Sequence, residues 1–282
     1  MALEINRLSD ILGAEIIGAD LRRWDDDAQF HAIHRALLDH GIVVLRDQDI
    51  EPADQVAFSR RFGPLIRHDM EQYCLPDFPE IFLVSNRRNA DDEYIGMPDA
   101  GRDWHSDMMF KEKPSMGSLL RALEIPPEGG DTLFANLTAA HEALDDGMKA
   151  RIAGLKAWHR YKRSTETAKQ EFAVSLNAEQ RARSQGVLHP IVRTHPETGR
   201  KSIYISVRSI TGIEGMDQSE SMPLLAALNE HCARPEFVYR HKWRLHDIVF
   251  WDNRCTNHLA EPYDQRFSRH MHRTTVEGDR PV

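Results

Sequence analysis

Cysteine is scarce in this chain of 282 residues: Cys74, Cys232 and Cys255 stand far apart, and no Cys-x-x-Cys pair occurs. That excludes a disulfide framework and points to a reducing, cytoplasmic setting. Excess basic charge is missing too. A net charge of -8 argues against nucleic acid or an anionic membrane as partner, because both select for surplus Lys and Arg. A small anionic substrate would therefore need a local basic pocket. No apolar run approaches the roughly 20 residues that a membrane span requires. The start, Met1-Ala2-Leu3-Glu4-Ile5-Asn6-Arg7, lacks the basic end and apolar stretch of a signal peptide. Internal repeats, low-complexity tracts and linkers are also absent. What remains is 41% apolar residues, enough to bury a sizeable core as one domain over residues 1–282.

Short apolar runs between turn signals dominate the pattern. Strands are expected at 14–17, 42–45, 81–84, 118–123, 132–135, 190–196, 202–205, 237–239 and 248–251, with an alternating tail at 269–277. A helix should start in the acidic run Asp25-Asp26-Asp27 and end at Gly41. A second should cover about 52–62, with Pro52 in its first turn. Further helices are expected over 138–154 and 217–233. Residues 86–103 read as a loop leading into a strand that carries His105. The polar stretch 160–186 reads as a solvated helix or loop, or as a mobile lid, since long loops often carry binding groups. Together these features predict a β-rich α+β fold, a barrel or jelly roll with helices packed outside.

Chemistry concentrates at Asp103-Trp104-His105-Ser106-Asp107. On an extended strand His105 and Asp107 would project from one face. Alone, such a pair also fits a surface histidine beside a solvated carboxylate, in a chain with 15 histidines. Trp251-Asp252-Asn253-Arg254-Cys255-Thr256-Asn257-His258 supplies another histidine after a strand and turn. Two histidines and one carboxylate make a facial ligand set that leaves three positions open on Fe(II). The same ligands would also serve a zinc-dependent hydrolase or lyase. Arg269, Met271 and Arg273 share one strand face, and His270 and His272 the other. Two arginines near a metal are costly unless they meet anions, and a guanidinium grips a carboxylate with two parallel hydrogen bonds.

Four stretches occur in this order: Trp104-His105-Ser106-Asp107, Pro127-Glu128-Gly129-Gly130-Asp131-Thr132, Trp251 through His258, and Arg269 through Arg273. They resemble the Fe(II)/2-oxoglutarate-dependent dioxygenases of the taurine dioxygenase (TauD/TfdA) family. Phe62-Gly63-Pro64-Leu65 and the stretch from His189-Pro190 to Gly199-Arg200 extend the likeness over nearly the whole chain. The resemblance implies a double-stranded β-helix (jelly roll) core and a homodimer or homotetramer. It implies His105, Asp107 and His258 as iron ligands, with Thr132 and Arg269 on the distal carboxylate of 2-oxoglutarate. Arg273, His68 and the Met108 backbone N–H would meet the acidic end of the substrate.

The implied reaction couples O2 and oxidative decarboxylation of 2-oxoglutarate, giving succinate and CO2, to hydroxylation of a small organic acid. That acid would be a sulfonate, sulfate ester, aryloxyalkanoate or other carboxylate. If the hydroxylated carbon bears a leaving group, C–S or C–O cleavage follows. Related halogenases have Ala or Gly where Asp107 stands, so the carboxylate favours hydroxylation. Two departures put taurine itself in doubt. Glu71 stands where taurine dioxygenase has a substrate-contacting tyrosine, and Gly101 where it has an asparagine. A non-catalytic binding protein is disfavoured, because the ligand set, Thr132 and Arg269 are all intact.

Overall fold

The computed structural model describes residues 3–98, 100–160 and 186–282. The chain opens with an antiparallel pair, β1 (Glu4–Arg7) and β2 (Ala14–Ile17). Helix α1 (Asp27–His40) starts as the acidic run predicts, with the Asp26 side chain accepting from the Gln29 N–H. It stops at Gly41, whose φ of 71° lies in the left-handed region and whose N–H returns to the Leu37 carbonyl; glycine takes that conformation without a Cβ clash. After β3 (Ile42–Leu45), α2 (Pro52–Arg60) places its proline in the first turn, where its missing N–H donor forfeits no intrahelical hydrogen bond. Next come β4 (Cys74–Leu75), β5 (Phe78–Ser85), β6 (Ser115–Glu124) and β7 (Thr132–Asn136). Helices α3 (Leu137–Glu142) and α4 (Asp146–Ile152) lead to β8 (Lys156–His159), β9 (Val187–Pro190), β10 (Val192–Thr194), β11 (Lys201–Ile203) and β12 (Ile210–Ile213). Helix α5 (Gln218–Cys232), β13 (Val238–His241), β14 (Ile248–Asp252), β15 (Thr256–Ala260) and β16 (His270–Glu277) complete the chain.

Eight strands form one sheet in the order β1-β2-β3-β14-β6-β16-β5-β4. Its central strands are covered on both faces, so they read as unbroken apolar runs rather than as an apolar-polar alternation. The period of two still sorts their side chains. Ile248 and Phe250 of β14 join Val43 and Leu45 of β3 beneath Ile33, Leu37 and Phe58 of the two N-terminal helices. Val249 and Trp251 join Ile42, Val44, Leu120 and Met271 on the opposite face. That face packs against Phe134 of β7, the middle strand of the sheet β13-β7-β15. The fold is thus a β-rich α+β arrangement, and the site is lined from both of these sheets.

Two expectations need correction or restriction. The single helix predicted over 138–154 is two helices. Asp145 breaks the run because its side chain accepts from the Met148 N–H and starts α4 as a cap, a competition with helical hydrogen bonding that short acidic side chains favour. The lid suggested for 160–186 falls on 161–185, outside the described residues.

Candidate active site

His105 and Asp107 converge, but not on a strand. His105 makes a single antiparallel bridge to His258 of β15, with N–H to carbonyl distances of 3.1 and 2.8 Å. The chain then turns, and Met108 has a φ of 60°, which costs a non-glycine residue about 1 kcal/mol or more. The bridge and turn replace the predicted strand, because Asp107 must fold back toward His105 rather than continue along it. His105 Nδ1 lies 2.7 Å from the Asp103 carbonyl. A proton on Nδ1 satisfies that carbonyl and leaves the Nε2 lone pair facing inward.

Asp107 is held from three sides. Its N–H donates to Asn253 Oδ1 at 3.1 Å, its Oδ2 accepts from Ser118 Oγ at 2.7 Å, and its Oδ1 accepts from Arg273 Nη1 at 3.0 Å. Asn253 is itself fixed by Trp251 Nε1, Ser115 and Ser118. Ser106 Oγ donates to the Thr256 carbonyl and to Asn257 Oδ1, tying the loop to β15. The β14–β15 turn is pinned by Arg254, which donates to both oxygens of Asp252, while His195 Nε2 meets Asp252 Oδ2 at 3.0 Å. His195 therefore serves the turn rather than the cavity.

The donors match a divalent metal. His105 Nε2 lies 4.0 Å from Asp107 Oδ1, and His258 Nε2 lies 4.0 Å from Asp107 Oδ2. All three side chains are buried, and their ligand atoms lie within 4.8 Å of one another. Burial disfavours the charged imidazoles: it lowers His258 to about 4, Arg273 and Arg208 adding to the shift, and pushes His105 well below its usual value together with His258 and Arg208. Burial alone would raise Asp107, but Arg273, His258, His105 and the Ser118 hydrogen bond outweigh it and hold the carboxyl well below its usual range. Two neutral nitrogens and one carboxylate thus face a shared gap with no hydrogen bond between them. That is a metal-ligating donor set, and it could hold Fe(II) or Zn(II).

The arginines supply the anion chemistry. Arg269 is 5% exposed. It makes no ion pair among the described residues, and its Nε is buried without a partner. Burial lowers its pKa to about 10. Thr132 Oγ1 accepts from Trp243 Nε1 at 3.0 Å, so its own hydrogen is free to be donated. Both residues line the cavity of about 120 Å³ that contains His105, Asp107 and His258. The shared face predicted for Arg269 and Arg273 holds, since Arg273 lines the same cavity.

His68 and Met108 are also at the wall. The His68 ring stacks on Phe82 at 4.0 Å, and its Nδ1 accepts from the Met70 N–H, leaving Nε2 as the donor. Glu71 is exposed and does not line the cavity, whereas Gly101 does. Sequence reasoning missed Ser118, the bracing role of Asn253, and Arg208, which lines the cavity from the segment after β11. Ser118 and Asn253 carry no local signal, because their contacts with Asp107 span 11 and 146 positions and follow no helical or strand period.

Buried histidines make stability depend on pH. Burial lowers both His68 and His272 to about 3. Below the ordinary histidine value of ~6.5 the unfolded chain binds protons that the folded chain refuses. Stability should therefore fall as pH drops from about 6.5 towards 3, and His272→Gln should flatten that slope. Thermal unfolding at pH 7, 6 and 5 checks this; a flat wild-type profile would refute it.

Comparison with known proteins adds four likenesses. The family "Taurine catabolism dioxygenase TauD, TfdA family" matches residues 4–275. The alpha-ketoglutarate-dependent 2,4-dichlorophenoxyacetate dioxygenase of Cupriavidus pinatubonensis is 32% identical, with 100% of each chain covered. The (S)-phenoxypropionate/alpha-ketoglutarate-dioxygenase of Sphingobium herbicidovorans is 33% identical, covering 99% of this chain and 96% of that one. Among solved structures, AAD-2 in complex with Mn(II) and N-oxalylglycine superposes with a TM-score of 0.83 at 36% identity, covering 100% of this chain and 99% of that chain.

Proposed function

The chain belongs to the TauD/TfdA family of taurine catabolism dioxygenases, and from that premise we propose that it hydroxylates a small organic acid, with 2-oxoglutarate and O2 as co-substrates and Fe(II) as metal. The candidate acids are a sulfonate, a sulfate ester, an aryloxyalkanoate or another carboxylate. Succinate and CO2 are the by-products, and C–S or C–O cleavage follows where the hydroxylated carbon carries a leaving group. His105, Asp107 and His258 hold the iron, which when bound supplies activation of O2.

One observation carries this reading: a buried guanidinium without a carboxylate partner among the described residues, Arg269, lines the cavity that holds the three ligands. A zinc hydrolase needs no such group. A keto-acid that chelates the metal and extends a second carboxylate away from it does. Arg269 and Thr132 therefore bind the distal carboxylate of 2-oxoglutarate. Ser118 and Asn253 orient Asp107 and hold its oxygens in place for the metal. The substrate sits against Arg273, His68 and Met108, beside apolar Phe82, Val84 and Leu120. These side chains keep water out and aim one C–H bond at the metal face.

The packing of β13-β7-β15 against the larger sheet supports a jelly roll, and continuous contact from β1 to β16 supports one domain over 1–282. The three cysteines are free, which supports a cytoplasmic enzyme. No helix among the described residues is long and apolar enough to cross a membrane. Small acids rather than nucleic acid or lipid are its partners, and family resemblance supports a homodimer or homotetramer.

The test is anaerobic addition of 2-oxoglutarate to the Fe(II) protein, followed by a screen of the four acid classes for substrate-dependent succinate release. A weak visible charge-transfer band and succinate with at least one acid are expected. No band, together with tight zinc retention, would replace this reading with a zinc-dependent hydrolase or lyase.

A further inference from the structure

The substrate side of the cavity carries two donors of different kinds, and one ring touches both. Phe82 lies on β5, where the period of two sends Ile81 and Leu83 towards Val56 of α2 and turns Phe82 and Val84 to the cavity face. In the ladder between β5 and β16 it stands directly opposite Arg273. The Arg273 guanidinium carbon lies 5.1 Å from the centroid of the Phe82 ring, inside the range of a cation–π contact. The His68 ring stacks on the same ring at 4.0 Å, with 26° between the two planes.

Neither donor is oriented by hydrogen bonds alone. Among the described residues Arg273 has one hydrogen-bond partner, Asp107, and its Nε is buried without any. Its other N–H groups find no acceptor among those residues, so the guanidinium can serve Asp107 and a substrate anion together. His68 has the Met70 N–H on Nδ1, a bond that fixes the tautomer but leaves the tilt of the ring open. Backbone ties place the residue itself. The Ile66 N–H donates to the Thr275 carbonyl of β16 at 2.8 Å, and Asp69 pairs with Lys111 at 2.6 Å. What sets the plane of each donor group is the ring they share. A phenyl ring offers a flat surface to the imidazole and a negative face to the cation. An unbranched side chain of similar volume would fill the space and set neither orientation.

We propose that Phe82 is a positioning residue for substrate specificity, aligning the His68 N–H and the Arg273 guanidinium as one two-pronged clamp for the anionic end of the substrate. Its contribution is orientation rather than charge. A clamp set in advance favours an anion over a neutral group of the same shape, because donors already oriented lose little freedom on binding. The assignment rests on the dioxygenase reading and on Arg273 and His68 as the anion site, and goes beyond them by naming what holds the two in register.

The experiment is calorimetric titration of phenoxyacetate, and separately of neutral phenoxyacetamide, into the full chain loaded with Mn(II) and N-oxalylglycine, an inert replacement for 2-oxoglutarate. Wild-type protein should bind the acid at least about tenfold more tightly than the amide, roughly 1.4 kcal/mol. Phe82→Met keeps an apolar side chain of similar volume and removes the ring. It should weaken acid binding about tenfold, leave amide binding within about threefold, and so lose most of the preference. Phe82→Tyr keeps the ring face and should retain the preference. N-oxalylglycine affinity should not change in either variant, which also serves as the folding control. Combined with His68→Ala, Phe82→Met should cost less than the product of the two separate losses, because the ring acts through the imidazole. Equal losses of acid and amide in Phe82→Met would make Phe82 a plain wall residue and overturn the proposal. Multiplicative losses in the double variant, or an unchanged preference in Phe82→Met, would overturn it too, with the dioxygenase reading left standing. Wild-type protein that takes up N-oxalylglycine but prefers neither acid nor amide would overturn the clamp and its anion site together. Failure to take up N-oxalylglycine would instead overturn the dioxygenase reading, and this assignment with it.

Discussion

Asp107→Ala should reduce substrate-dependent succinate release to less than about a thousandth of wild type, ~4 kcal/mol of lost transition-state stabilisation at 1.36 kcal/mol per decade. The reason is placement. Asp107 is 5% exposed and, among the described residues, is the one carboxylate grouped with His105 and His258. Without it the site keeps two neutral nitrogens and gains an unpaired buried cation, since Arg273 loses its carboxylate. Breaking a buried pair from one side costs about 3–5 kcal/mol of stability, so a folding control is needed. Asp107→Asn provides it, because the amide keeps the volume, its oxygen can still accept from Arg273, and its NH2 can donate to Ser118 Oγ. Both variants should lose bound iron, and Asp107→Asn should unfold closer to the wild-type temperature. Iron content by metal analysis, succinate by chromatography and the unfolding midpoint are the measurements. Full iron with wild-type succinate release in Asp107→Ala would refute the ligand assignment.

Arg269→Leu should act in opposite directions on binding and stability. Two charge-assisted hydrogen bonds to the distal carboxylate vanish, and 2-oxoglutarate should bind roughly 100-fold more weakly or worse. Without co-substrate, however, the variant should be more stable. Burial depresses the Arg269 pKa from its ordinary value to about 10. A cation whose folded value is depressed destabilises the fold at every pH below that value, so the full penalty is present at pH 7. The shift corresponds to ~3 kcal/mol as an upper figure. Leucine removes that charge, and the midpoint should rise by several degrees, given about 2–4 °C per kcal/mol for a chain of this size. Added 2-oxoglutarate should raise the wild-type midpoint and leave the variant unchanged. A variant less stable than wild type, with 2-oxoglutarate binding intact, would show that Arg269 has a structural partner and is not the anion site.

Local chemistry made much of the architecture legible. Asp26 and Gly41 bound α1 because an acidic cap and a left-handed glycine act within one turn of the helix they terminate. Pro52 marks the start of α2 for the same kind of reason. Arg269 and Arg273 line one cavity, as the period of two suggested, although β16 begins at His270 and its register shifts between His270 and Met271. The helix over 138–154 was misread because its apolar spacing runs through Asp145, and spacing does not reveal whether a side chain will cap. The route by which His105 meets Asp107 was misread for a related reason: a backbone bridge to His258, far away in sequence, overrides the strand preference of the segment.

By itself, then, the sequence determined the donor types, their order along the chain and the faces on which the arginines lie, because these depend on residue identity and on periods of two and 3.6. Only the tertiary structure decided how those groups are used. Asn253 and Ser118 brace Asp107 across separations of 146 and 11 residues, Arg273 is engaged by Asp107 while Arg269 meets no carboxylate among the described residues, and Arg208 reaches the cavity from a turn anchored beside both histidines. Whether a charge is paired or free is a property of what long-range packing brings within 3 Å of it, and no period along the chain encodes that.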